Sequence, residues 1–164
     1  MATILAIESS CDETSIAIIK DDELLANVVA TQISMHQQFG GVMPELASRL
    51  HCENVLYVLD EAVRKANIKL EDIDAFAFTR GPGLVGALHI GMQVAKTLAM
   101  LYDKPLIPVH HLAAHIYANE YVKPLKGRHP YSQGILPVHY PSLPRVLRQH
   151  TPQNMGNQVH EQTH

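Results

Sequence analysis

Three short apolar runs in the first thirty residues, separated by polar turns too short for a helix, constrain this fold more than any other feature. Residues 3–8, 14–20 and 24–30 are rich in β-branched and other apolar side chains, and Ser9–Glu13 and Lys20–Glu23 join them. Connections this short join antiparallel strands, whereas parallel strands need a long crossover. The sequence therefore predicts a three-stranded antiparallel meander.

Helical and strand-like patterns alternate after the meander. Pro44 begins an amphipathic stretch that continues to about Ala66, with apolar side chains at helical spacing. A strand over 74–79, a helix over 84–102, a strand over 106–109 and a helix from 111 to about 121 follow. The order βββ-α-β-α-β predicts an α/β fold of the ribonuclease-H-like kind, one lobe of the actin-like ATPase architecture.

The pattern of the chain changes abruptly after Leu125. Residues 126–164 contain five of the ten prolines and show neither a strand-like nor a helical period. Such a segment does not bury enough apolar surface to order itself. We predict an actin-like lobe over 1–125 and a low-order tail rich in Pro, His and Gln over 126–164. The tail is either a natural extension or the product of a truncated or frame-shifted gene, and the abrupt change favours the second.

Charge is distributed unevenly along the chain. Residues 1–125 carry nine basic and fifteen acidic side chains, whereas residues 126–164 carry four and one. An acidic body lacks the basic surface that binds nucleic acid unaided, so we expect partners to supply positive charge. No apolar run is long enough to span a bilayer and no basic leader precedes Thr3, which predicts a cytoplasmic protein without a membrane partner. Cys11 and Cys52 are expected to be free thiols.

The turn between the first two strands, Glu8–Thr14, concentrates hydroxyls and carboxylates. Hydroxyl and amide groups such as those of Ser9 and Ser10 can surround a phosphate. The carboxylates of Asp12 and Glu13 can act as a base or through a metal ion. The alternative is a solvated acidic turn without a ligand.

A second candidate loop, Gly81-Pro82-Gly83, lies between a strand and a helix, where exposed amides and the helix dipole favour an anion. The loop lacks the Lys-Ser/Thr ending of a Walker A motif, and its spacing matches no dinucleotide-binding fingerprint. The backbones of Gly81 and Gly83 are candidates for lining a ligand pocket. The alternative is close packing of the helix on the strand.

Two histidines four residues apart, His111 and His115, fall on one face of the last predicted helix. Neutral imidazoles at this spacing can bind one zinc or iron ion. The alternative is a pair of partly buried or surface histidines. A zinc protease of the HExxH type carries a glutamate next to its first histidine to activate water, and Leu112 occupies that position here.

Four blocks of sequence occur in a fixed order within residues 1–125. They are Ile-Glu-Ser-Ser-Cys-Asp-Glu-Thr at 7–14, Gly-Gly-Val-Met-Pro-Glu-Leu-Ala-Ser-Arg at 40–49, Thr-Arg-Gly-Pro-Gly-Leu at 79–84 and Pro-Val-His-His-Leu-Ala-Ala-His at 108–115. Together the blocks resemble the bacterial form of the TsaD family, once labelled glycoproteases. The resemblance implies a two-lobed actin-like protein that transfers the threonylcarbamoyl group of threonylcarbamoyl-AMP to N6 of an adenosine in tRNA. The adenosine is the one 3′ of the anticodon in tRNAs that read codons starting with A.

The resemblance also implies ligands, roles and partners. His111 and His115 would bind one divalent metal ion, iron or zinc, and Asp12 and Glu13 would lie at the reacting centre with Asp12 as the base. ATP or ADP is a further candidate ligand. The implied partners are a TsaB-type paralogue, a TsaE-type ATPase and tRNA.

The family pattern stops matching after residue 125. The family's Val-Ser-Gly-Gly-His block and its acidic third metal ligand have no counterpart here, although Gly134–Leu136 lies at about the distance of that block. We therefore expect incomplete metal coordination and a truncated chain that is inactive on its own. Two alternatives remain open: a non-catalytic interaction module that binds the TsaB-type paralogue, and a metallopeptidase.

Overall fold

Five strands form one mixed sheet in the computed structural model, which describes residues 2–122. The strands are β1 (Thr3–Glu8), β2 (Glu13–Lys20), β3 (Glu23–Thr31), β4 (Ala75–Gly81) and β5 (Leu106–His110). Their order across the sheet is β3-β2-β1-β4-β5. β1 and β2 are antiparallel, as are β2 and β3, which confirms the predicted meander.

The helices are α1 (Ile33–Gln37), α2 (Pro44–Ala66), α3 (Val85–Leu101) and α4 (His111–Val122), with a 3₁₀ turn at Leu70–Asp72. The predicted order of strands and long helices is confirmed. α1 and the 3₁₀ turn are not predicted from the sequence, because segments of five and three residues are too short to show a period. As predicted, Pro44 lies in the first turn of α2.

β1, β4 and β5 run in the same direction. β1 is parallel to β4, with Leu5 opposite Phe76, and β4 is parallel to β5, with Phe76 opposite Leu106. The carboxyl ends of the three strands therefore meet at one edge of the sheet, where Glu8, Gly81 and His110 are the last strand residues. We call this edge the carboxyl edge.

The core lies between the sheet and the helices α2 and α3. Five strand side chains that are at most 1% exposed form its centre: Leu5, Ile7, Ile16, Ile18 and Phe76. Alternate residues of a strand point to the same face, so β1 and β2 each contribute two of them. Complete burial of one such side chain stabilises the fold by about 1.5–3 kcal/mol. This packing fixes the end of β1 relative to both helices.

Cys11 and Cys52 are free thiols, as expected. Among the described residues, no helix combines the length and apolar character that crossing a membrane requires. The predicted boundary at residue 125 and the predicted tail over 126–164 lie outside the described residues.

Candidate functional site

The loops that follow β1 and β4 leave the carboxyl edge in opposite directions. The first returns along the neighbouring strand β2, and the second leads through α3 to β5 on the other side of the sheet. Ligands of open α/β sheets bind in the crevice where the connections diverge in this way, outside the carboxyl ends of the strands. The hairpin loop, residues 9–12, and the β4–α3 loop, residues 82–84, border this crevice.

The two loops are in direct contact. The amide of Leu84 donates a hydrogen bond to the carbonyl of Ser10 at 2.8 Å. A Cβ atom at position 83 would lie 2.6 Å from the same carbonyl oxygen, closer than side chains approach in folded proteins. Gly83 is therefore required for the contact, and Gly81, with a φ of +146°, has a backbone conformation that favours glycine.

Ser9 anchors the end of β1 to α3. Its hydroxyl donates to the carbonyl of Ala87 at 2.8 Å and accepts from the amide of Gly91 at 3.1 Å, and the residue is buried. These two bonds hold the hairpin loop against the first turns of the helix. The role of Ser9 in binding a cofactor stays a prediction.

Glu8 lies at the centre of the carboxyl edge and accepts hydrogen bonds at both oxygens. Its Oε1 accepts from the Ser10 amide at 2.5 Å, and its Oε2 accepts from the Thr79 hydroxyl. Burial raises the pKa of Glu8, but hydrogen bonds from Ser10, Thr79 and His111 together outweigh burial and hold that pKa below its usual value. Glu8 is therefore ionised at neutral pH.

His111 and His115 converge as the helical spacing predicts. Their Nε2 atoms are 3.0 Å apart, and the rings meet edge to face at a centroid distance of 4.4 Å. A tetrahedral zinc ion bound at about 2.0–2.1 Å would separate two such nitrogens by about 3.3 Å. The donor atoms and their spacing therefore fit a divalent cation with little movement. In the described part of the chain, no third His, Cys, Asp or Glu joins the pair.

The other nitrogen of His111 faces the end of β1. Nδ1 lies 3.1 Å from the Ser10 hydroxyl and 3.4 Å from Oε2 of Glu8. The structure thus brings the predicted residues Ser10, Gly83, His111 and His115 to one place, together with Glu8.

His51 holds the hairpin loop from the side of α2. It is fully buried and lies 2.7 Å from the Thr14 hydroxyl through Nδ1 and 3.1 Å from the Cys11 carbonyl through Nε2. A carbonyl oxygen only accepts, so Nε2 carries the proton and Nδ1 accepts from the hydroxyl. Burial lowers the pKa of His51, which keeps the ring neutral.

The two predicted catalytic carboxylates differ in surroundings. Asp12 is half-buried in the hairpin loop, and its carbonyl accepts from the amide of Gln32 at 3.0 Å. Glu13 is the exposed first residue of β2. Burial and the neighbouring Asp12 raise the pKa of the Cys11 thiol, so a nucleophilic thiolate is disfavoured in this loop.

Comparisons with known proteins identify the family. The family model described as TsaD: tRNA N6-adenosine threonylcarbamoyltransferase matches residues 23–133. The chain is 59% identical over 123 residues to the tRNA N6-adenosine threonylcarbamoyltransferase of Staphylococcus epidermidis. It is 58% identical over 124 residues to that of Staphylococcus saprophyticus. The chain belongs to the TsaD family. The two matches cover 74% and 75% of the chain, which spans 36% of the length of each relative.

A solved structure supports the fold of this TsaD-family chain. YeaZ from Pseudomonas aeruginosa matches with a TM-score of 0.58 and 24% identity, over 75% of this chain and 50% of YeaZ. Identity at this level shows the fold alone. The prediction of a ribonuclease-H-like, actin-like α/β lobe is confirmed.

The loops and the histidine pair of this TsaD-family chain are predictable from its sequence, but the residues that hold them are not. Glu8 belongs to the first sequence block and Thr79 to the third, but neither has a role that local spacing predicts. His51 lies on the buried stripe of α2, four residues after Ala47 and four before Val55. A histidine on an otherwise apolar stripe was the signal that could have found it.

Proposed function

We propose that this chain forms one wall of a site that transfers a threonylcarbamoyl group from threonylcarbamoyl-AMP to N6 of an adenosine in tRNA. The adenosine is the one 3′ of the anticodon in tRNAs that read codons starting with A. The observation that carries the proposal is the meeting of the hairpin loop, the β4–α3 loop and the histidine pair at the carboxyl edge. Membership of the TsaD family and the names of its relatives support the substrate and the reaction.

The hairpin loop would bring a base to the reaction. In the transfer, N6 forms a bond to the carbamoyl carbon, the bond from that carbon to the AMP oxygen breaks, and N6 loses a proton. Asp12 would accept this proton, with Glu13 as the second carboxylate of the loop. The loop is fixed from two sides, by His51 at the Cys11 carbonyl and by the Gln32 amide at the Asp12 carbonyl, which supports a base of defined position.

His111 and His115 would hold a divalent cation, iron or zinc. Bound there, the cation would neutralise charge on a phosphate or carbamoyl oxygen of the substrate. The support is the separation of their Nε2 atoms and the fit of imidazole to both metals. Ser9, Ser10, Gly81 and Gly83 would line the adenylate subsite, and ATP or ADP is a second candidate ligand for the same loops.

Partners would complete the site. The helices α2 and α3 form one layer, the helix layer, and expose large apolar side chains. Among them are Leu56 at 65%, Tyr57 at 78% and Val85 at 76%. We propose this layer as the contact for a TsaB-type paralogue, and a TsaE-type ATPase as the second protein partner. The acidic charge of residues 1–125 supports a role for these partners in holding tRNA. The proposed reaction would take place in the cytoplasm.

The isolated chain would not transfer the group. Much of the advantage of an enzyme comes from holding both reactants in line, which one wall of a cleft does not provide. The exposed apolar helix layer also favours a second candidate, a non-catalytic interaction module. The metallopeptidase has no such support, because Leu112 replaces the glutamate that would activate water.

A chimera tests the proposal. The 123 residues of the Staphylococcus epidermidis relative that match this chain are replaced by the corresponding residues of this chain. The chimera, the parent and the isolated chain are incubated with threonylcarbamoyl-AMP, unmodified tRNA and the partner proteins, and tRNA nucleosides are measured by mass spectrometry. We expect product from the chimera and none from the isolated chain. A folded chimera without product, beside an active parent, would contradict the transferase and favour the interaction module.

A further inference from the structure

Glu8 lies behind His111, on the side of the ring opposite to His115. Its Oε2 is 3.4 Å from Nδ1 of His111, whereas Nε2 of the same ring faces His115 at 3.0 Å. We propose that Glu8 is a positioning residue that fixes the proton of His111 on Nδ1 and so presents the Nε2 lone pair to a divalent cation. The second half of this inference rests on the proposed metal site, and the first half does not.

The proton position follows from the donors and acceptors around the ring. A carboxylate oxygen only accepts hydrogen bonds, so Nδ1 of His111 must carry the proton to interact favourably with Glu8. The same proton can be shared with the Ser10 oxygen, 3.1 Å away. With the proton on Nε2 instead, Nδ1 would accept from the Ser10 hydroxyl, but its lone pair would also face the ionised carboxylate of Glu8, which is unfavourable. The neutral ring therefore keeps Nε2 unprotonated.

Glu8 is itself held in place, which a positioning residue requires. Its Oε1 is fixed by the Ser10 amide of the hairpin loop and its Oε2 by the Thr79 hydroxyl of β4, so donors from two elements orient the carboxylate. Its backbone belongs to β1, the central strand of the sheet. Only about a third of its side chain is exposed, at 34%, and the His111 side chain is 25% exposed. Water therefore competes only in part for the interaction.

The arrangement matches a general feature of metal sites. A histidine ligand usually donates its second ring N–H to a carboxylate, a carbonyl or water, which fixes the tautomer and makes the ligating nitrogen more basic. Glu8 lies next to the non-ligating nitrogen and does not join the pair of Nε2 atoms, and no group of three metal-binding side chains occurs among the described residues. Glu8 would therefore act through His111 and not as a ligand.

A purely structural role for Glu8 makes different predictions. If Glu8 served only to accept from Thr79 and the Ser10 amide, its removal would lower stability but leave the tautomer and the metal affinity of His111 unchanged. Glu8→Gln keeps the size and one acceptor oxygen, and Glu8→Ala removes the acceptor. Glu23→Ala is the matched control, because Glu23 is an exposed carboxylate at the start of β3, outside the carboxyl edge.

NMR of the full 164-residue chain with ¹⁵N-labelled histidine tests the proposal. Long-range ¹H–¹⁵N spectra without metal report the tautomer of His111, and titration with zinc(II) followed on His111 and His115 reports binding at this pair and not at other histidines. We expect the Nδ1–H form in the wild type and a substantial Nε2–H population in Glu8→Ala. We expect Glu8→Ala to weaken zinc binding by about 10–100-fold, Glu8→Gln to weaken it less, and Glu23→Ala to leave it unchanged.

The outcomes separate the two proposals. A wild-type His111 with its proton on Nε2 would overturn the role of Glu8, whatever the metal does. A correct tautomer without any zinc shift at the pair would support the first half of the inference and overturn the proposed metal site. Zinc binding that is unchanged in a folded Glu8→Ala would overturn the second half. If Glu8→Ala does not fold, the tautomer of the wild type and the zinc affinity of Glu8→Gln decide in the same way.

Discussion

Replacing the buried histidine of α2 by leucine, His51→Leu, tests how the hairpin loop is held. The change keeps most of the volume but removes both hydrogen bonds, to the Thr14 hydroxyl at 2.7 Å and to the Cys11 carbonyl at 3.1 Å. Thr14 is fully buried, so its hydroxyl would lose its partner away from water. Leaving the buried hydroxyl unpaired costs about 1–3 kcal/mol, and losing the hydrogen bond to the carbonyl costs about 1 kcal/mol. We therefore expect the free energy of unfolding to fall by roughly 2–4 kcal/mol.

A double-mutant cycle separates the hydrogen bond from the packing. Thr14→Val alone leaves Nδ1 of His51 without a donor, and His51→Leu alone leaves the hydroxyl without an acceptor. The double variant leaves neither group unpaired. Its loss of unfolding free energy should therefore be about 1–3 kcal/mol smaller than the sum of the losses in the two single variants. Urea unfolding followed by circular dichroism measures all four proteins. Losses that add within about 0.5 kcal/mol would refute the reasoning.

The cost of His51→Leu should also depend on pH. Burial lowers the pKa of His51 in the folded state, so on acidification below about 6.5 the unfolded chain binds a proton that the folded chain does not. Wild-type stability therefore decreases as the pH falls from about 6.5 towards the folded-state pKa, and the variant lacks this contribution. We expect a smaller difference between the two proteins at pH 5.5 than at pH 7.5. A difference that grows on acidification would contradict a neutral buried ring.

Three further predictions concern the carboxyl edge. Gly83→Ala should separate the two loops, because its Cβ would lie 2.6 Å from the Ser10 carbonyl oxygen. Hydrogen exchange at the Leu84 amide should then accelerate at least tenfold. Gly41→Ala is the control and should leave this exchange rate unchanged, because the space around its Cβ is open. Thr79→Val should lower stability by about 1–3 kcal/mol in urea unfolding, because Glu8 loses a donor, and an unchanged midpoint would contradict that bond. The isolated chain should lose zinc to a mild chelator that leaves the metal in a full-length relative, and equal retention would indicate a third ligand in this chain.

The sequence was sufficient to predict the strands, the long helices and the convergence of two histidines, because each of these depends on local spacing. The pair His111 and His115 is the clearest case, since residues four apart on a helix share a face. The meander was predictable for the same reason, because turns of a few residues admit only antiparallel pairing.

The residues that hold the site were not predictable from local spacing. Glu8 and His111 are separated by 103 positions and His51 and Cys11 by 40, so their contacts depend on the register of the sheet and on the packing of α2. The requirement for glycine at position 83 likewise arises from the approach of Ser10, a residue distant in sequence. Predicting these contacts requires knowledge of how the helices pack on the assembled sheet.

A kinetic cycle in the chimera tests most directly whether the hairpin loop and the histidine pair form one site. Transfer to tRNA is measured for the chimera, for Asp12→Asn, for His115→Ala and for the double variant, with Glu23→Gln as the exposed control. We expect Asp12→Asn to reduce the rate by about 10²-fold or more, since that is the usual contribution of a general base. We also expect His115→Ala to reduce the rate sharply, and the double variant to be little worse than the poorer single variant, because groups that act as a unit are not additive. Wild-type rates in either single variant, or losses that multiply in the double variant, would contradict a single site at the carboxyl edge.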